Sequence, residues 1–167
     1  AHAIQHELLS LGYMVTPFIY NDPIPEHMDF IFSFAPYGEI LKFAPRIGAF
    51  PTHARPLLVH WDTEGIPDQR IPWALSGPLC KLRSWMGRQS RFRPINKYAY
   101  RFRYVGDNLY AYQKGWLSLF ANFSEVYANY YRHAGLPTLT VPWGTSKHWY
   151  KDLGLARDID VLWMGKR

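Results

Sequence analysis

Apolar residues recur along this chain in short blocks of two different periods, and the order of those blocks outlines a fold. Ile4, Leu8 and Leu11 fall at helical spacing, and Gly12 behind them supplies a left-handed stop. Residues 13–20 read as a strand, with Pro17 placing it at an edge or a bend, and Asn21-Asp22-Pro23 reads as a turn. Residues 28–34 are apolar on both faces, as in a parallel sheet covered by helices. A short helix is predicted over 39–44, ending before Pro45, and a third strand over 56–61. The long aromatic and basic region 66–104 reads as helix over 73–88 and loop beyond it. Helix over 108–114, strand over 117–123 and helix over 124–134, closed by Gly135, follow in turn. Residues 139–141 and 160–164 are the last predicted strands.

Strands alternating with helices specify the α/β class. The expected architecture is a Rossmann-like, mostly parallel sheet with helices on both faces. The pattern opens on a helix without a preceding strand and closes on a strand without a following helix. A domain truncated at both ends is therefore expected.

Composition narrows the class further. A chain of 167 residues fits one domain, and 48% hydrophobic content argues against intrinsic disorder. No apolar run approaches the roughly 20 residues that span a bilayer, and residues 1–7 lack the basic start and apolar core of a secretion signal. Cys80 is the single cysteine, which excludes an internal disulfide and fits a reducing, cytoplasmic setting. No nucleophile signature surrounds it, so it reads as a small buried hydrophobe.

Candidate chemistry gathers at two strand ends. His60, Asp62 and Glu64 stand where the third strand turns polar, and ligands of open α/β sheets bind beyond the carboxyl ends of strands. Gly165, Lys166 and Arg167 close the final strand with a flexible residue and two cations that could stabilise a diphosphate leaving group without a metal. Asp62 and Glu64 lie too close in sequence for the facing carboxylates of a glycoside hydrolase, and either could instead cap the turn. His60 could equally be hydrogen-bonded structure. The remaining histidines, among them His2, His6, His53, His133 and His148, are dispersed, and no metal site is predicted.

The net charge of +6 is unevenly spread. No acid occurs between Asp68 and Asp107, a stretch holding Arg70, Lys81, Arg83, Arg88, Arg91, Arg93, Lys97, Arg101 and Arg103. Aromatic residues such as Trp85, Phe92 and Tyr98 interleave with these cations. Three readings follow for residues 70–103: a solvated face, an anionic membrane surface as partner, or a stacking groove for nucleic acid. No compact RNA-binding motif supports the last.

The carboxyl half carries a family resemblance. Phe123-Ser124-Glu125 opens a tyrosine-rich helix ended by Gly135; Val141-Pro142-Trp143-Gly144 follows, then Asp158-Ile159-Asp160-Val161 and Val161–Arg167. This order resembles the inter-domain crossing of GT-B glycosyltransferases, in the family 1 branch that includes spore-maturation-protein-like enzymes. Related families often carry asparagine where Trp143 stands.

The resemblance implies the amino-terminal half of a GT-B architecture. Residues 1–154 would form the acceptor-side domain without its first strand. Residues 155–167 would form the linker and the first strand of a donor-binding domain. It implies a glycosyltransferase that uses a nucleotide-sugar donor as co-substrate and no cofactor; the lone cysteine sets it in the cytoplasm, and the membrane reading of residues 70–103 would set it against a membrane's inner face. It also implies that His60 touches the acceptor or the transferred sugar and that Lys166 and Arg167 hold the donor phosphates. The rival readings are a non-catalytic flavodoxin-like binding domain and a peripheral membrane or nucleic-acid binder built on residues 70–103.

Overall fold

The computed structural model describes residues 2–34, 40–68, 70–95 and 98–142. The chain divides into two compact units, one of residues 16–143 and one of residues 1–15 with 144–167. In the smaller unit the described element is helix α1, His2–Ser10. Gly12 ends it at φ +88°, its N–H donating to Leu9 O while Tyr13 N–H reaches back to Leu8 O. That paired closure satisfies carbonyls the last turn would otherwise leave open.

The larger unit is built on four strands: β1 (Phe30–Phe34), β2 (Leu57–Asp62), β3 (Leu119–Asn122) and β4 (Thr138–Thr140). They lie side by side in chain order, every neighbouring pair parallel. Helix α2 (Ile40–Gly48) joins β1 to β2, α3 (Trp73–Gly87) and α4 (Tyr100–Gln113) join β2 to β3, and α5 (Glu125–His133) joins β3 to β4. The expected parallel, Rossmann-like α/β sheet is therefore present.

Register assigns the faces. Ile31 pairs with Leu58, Ser33 with His60, His60 with Phe120 and Asp62 with Asn122, so these residues share one face. Ile31, Leu58 and Phe120 form the core there with Phe43 and Ile47 of α2, Val105 and Leu109 of α4, and Tyr131 of α5. The opposite face carries Phe32, Phe34 and Leu57, which are partly exposed, with Trp61 against the two phenylalanine rings.

Three expected elements differ in the structure. Residues 13–20 form no strand: Pro17 offers no ladder N–H, Met14 is fully exposed, and Ile19 N–H turns to Asp22 Oδ2 at 3.0 Å. Helix α2 runs through Pro45 instead of stopping before it. Its buried residues Ile40, Phe43, Ala44 and Ile47 follow the i, i+3, i+4, i+7 pattern, and burying that stripe outweighs one lost backbone bond. Helix α4 begins at Tyr100, within the region expected to be loop. The strand predicted over 160–164 and the boundary near Gly154 lie outside the described residues.

Candidate functional site

Two neighbouring strands end on related side chains. Asp62 is the last residue of β2 and Asn122 the last of β3, and the two are paired across the sheet. Asp62 Oδ1 accepts the N–H of Glu64 at 2.9 Å, and Asn122 Oδ1 accepts the N–H of Ser124 at 3.0 Å. Each is the side-chain turn by which Asp and Asn lead a chain out of regular structure. The repeat sets both side chains at the carboxyl edge of the sheet's centre, where α/β folds bind ligands.

Helices return to the same point. Tyr131 of α5 donates its hydroxyl hydrogen to Asp62 Oδ2 at 3.1 Å and accepts from Asn108 Nδ2 of α4 at 3.4 Å. Asp62, Asn108, Asn122 and Tyr131 are all buried. Asn122 Nδ2 has no hydrogen-bond partner among the described residues, leaving a buried donor beside the Asp62 carboxyl group. Burial pushes the Asp62 carboxyl up to about 6, against the opposing pull of its bonds from Glu64 N–H and Tyr131. A carboxyl group titrating so close to neutrality can take a proton and give it back.

His60 lies two residues before Asp62 on the same face, only 3% exposed. Its Nδ1 sits 3.1 Å from Ser33 Oγ on β1, and its ring lies 5.8 Å from that of Phe120. Burial lowers its pKa to about 4, so the imidazole is neutral at pH 7. Glu64 stands half-buried in the loop after β2. The structure thus brings His60, Asp62 and Glu64 to one edge, with the histidine inside the core. Gly165, Lys166 and Arg167 lie outside the described residues.

Sequence reasoning missed Asn122, Tyr131 and Asn108. Asn122 carried a signal, since it precedes the Ser124 that opens a predicted helix just as Asp62 precedes Glu64. Tyr131 and Asn108 carried none without the register and helix packing. Cys80 is fully buried against α4, and burial pushes its thiol up to about 12, so it stays protonated. Among the described residues no group of His, Cys, Asp and Glu side chains gathers as a metal site would. No helix among them is long and apolar enough to cross a membrane.

Comparison with known proteins yields no relative: no family profile, no curated protein and no solved structure matches this chain.

Proposed function

We propose that this chain is the acceptor-side domain of a glycosyltransferase, receiving its acceptor at the carboxyl ends of β2 and β3. The observation that carries the reading is Asp62, a buried carboxyl group raised to about 6 and held by Tyr131 at the ligand-binding edge of a parallel sheet. The order of motifs from Phe123 to Arg167, which resembles the GT-B crossing, supplies the reaction class.

In this reading Asp62 accepts the proton of the acceptor hydroxyl as its oxygen attacks the sugar's anomeric carbon. The bond from that carbon to the diphosphate oxygen breaks, and the nucleoside diphosphate leaves with the electron pair. Tyr131, steadied by Asn108, fixes the carboxylate that takes the proton. Asn122 Nδ2 offers a donor to a sugar hydroxyl, and Glu64 an acceptor at the half-buried rim. His60 stays inside the core as a neutral ring held by Ser33. Lys166 and Arg167 take the donor phosphates, where two cations stabilise the charge that develops. The enzyme works in the cytoplasm, peripheral to the inner face of a membrane.

The test is release of nucleoside diphosphate from a panel of nucleotide sugars by the gene product that carries this chain, with and without mixed glycoside acceptors. Acceptor-stimulated release from one donor, lost in Asp62→Asn, is the expected result. No release from any donor by a folded protein would overturn the reading.

A further inference from the structure

Helix α3 is turned inside out. Its buried residues are Ser76, Gly77, Cys80, Arg83 and Ser84, small or polar, whereas its outward positions hold Leu75, Leu79, Leu82 and Trp85. These four are 65%, 45%, 49% and 42% exposed, and their spacing runs along one side of the helix. The inward face is explained by close packing on α4: a side chain at Gly106 would strike the Cys80 carbonyl and Ser84 Cβ. Nothing in that packing explains the outward leucines. A helix stripe of this kind marks a surface that meets another apolar phase.

Charge decides which phase. The structure sorts the cations of the acid-free stretch into two sets. Arg83 donates to Tyr98 O at 2.7 Å, Arg103 lies 3.4 Å from the buried Asp107 carboxylate, and Arg70 pairs with Asp68. These are internal. Lys81, between the exposed leucines, and Arg91, whose guanidinium lies over the Trp85 and Phe92 rings at 5.8 and 4.8 Å, are exposed. Leucines and a tryptophan on one helix side, with Lys81 on that helix and Arg91 in the turn just beyond it, are the set that lies in a lipid headgroup region. An anionic bilayer answers both features at once, acyl chains for the leucines and phosphates for the cations.

We propose that the outward face of α3 is a docking surface for anionic lipid, with Leu75, Leu79, Leu82 and Trp85 entering the acyl boundary while Lys81 and Arg91 meet headgroup phosphates. This rests on the peripheral location proposed above and is independent of sugar transfer.

The experiment is sedimentation of the full chain with vesicles of phosphatidylcholine alone and of phosphatidylcholine with phosphatidylglycerol at 3:1, at low and high salt. The expected result is binding to the anionic vesicles, weakened by salt, with brominated lipid quenching tryptophan fluorescence in the wild type and less in Trp85→Phe. Leu79→Glu combined with Leu82→Glu should lower partitioning by about tenfold or more. Both positions are exposed, and an unchanged thermal melt confirms the fold. Anionic-vesicle binding that survives this double substitution would leave the peripheral location standing and overturn the α3 assignment. No vesicle binding at all would overturn both. Self-association lost in the double variant, or oligonucleotide binding without vesicle binding, would replace lipid by a second copy or by nucleic acid.

Discussion

His60 and Asp62 stand two residues apart on one strand, and the same burial drives their titrations in opposite directions. The histidine is held neutral down to about pH 4, whereas in an unfolded chain it protonates near 6.5. Between those values the unfolded state binds more protons, so stability falls as pH drops through the window. Asp62 and Asp107, both raised to about 6, act in the reverse sense: the folded state is the tighter proton binder, and their contribution is lost as pH rises from about 4 to about 6. Comparing His60→Gln with wild type cancels the carboxyl terms. The wild type should lose stability relative to the variant by about 3 kcal/mol between pH 7 and pH 4, measured by denaturant unfolding at each pH. Parallel pH profiles would show that His60 is protonated in the folded state. For activity, Asp62→Asn should lower kcat by about 10²–10⁴-fold with KM little changed, and Tyr131→Phe should lower it less while shifting the acidic limb of the pH–rate profile upward, because the hydroxyl that favours the carboxylate is gone. A Tyr131→Phe profile superimposable on wild type would remove Tyr131 from the site.

At the scale of elements, what could be read ahead of the structure depended on which residues fill the buried face. Strands β1, β2 and β3 were legible because their apolar runs are short and bounded by turn residues, and α5 because Ser124 and Gly135 mark its ends. The first half of α4 was not legible. Burial there begins only at Val105 and Gly106, and Asp107 and Asn108, which follow, are polar, so a hydrophobic pattern has little to register. Gly106 is there for contact, Asp107 accepts from Ser84 Oγ at 2.7 Å, and Asn108 reaches Tyr131. Half of the site was hidden in the same way. Asp62 announced itself at a strand end, but its partner Tyr131 lies 69 residues away, and only register and helix packing bring them together. The α3–α4 contact gives its own prediction. Gly106→Ala sets a Cβ against the Cys80 backbone carbonyl, which no rotamer can relieve, and should cost about 1–3 kcal/mol, read as a lower thermal melting point. Gly106→Ala melting with wild type would mean that the two helices do not approach so closely.

On the scale of the whole molecule, a parallel sheet converts strand order into a place. Four strands in sequence order put Asp62 and Asn122 next to each other at the carboxyl edge, each turning its chain outward through its own side chain. The amides of Glu64 and Ser124 are bonded directly to those side chains, so they report on any ligand that engages them. Titrating the 167-residue chain with a panel of glycosides and following backbone amide resonances is the most direct measurement of the central claim. A glycoside should shift the Glu64 and Ser124 amides together, and Asp62→Asn should abolish the response. If those two amides stay unmoved through the panel, or if glycosides shift only residues far from the ends of β2 and β3, the assignment of this edge as a sugar site is contradicted.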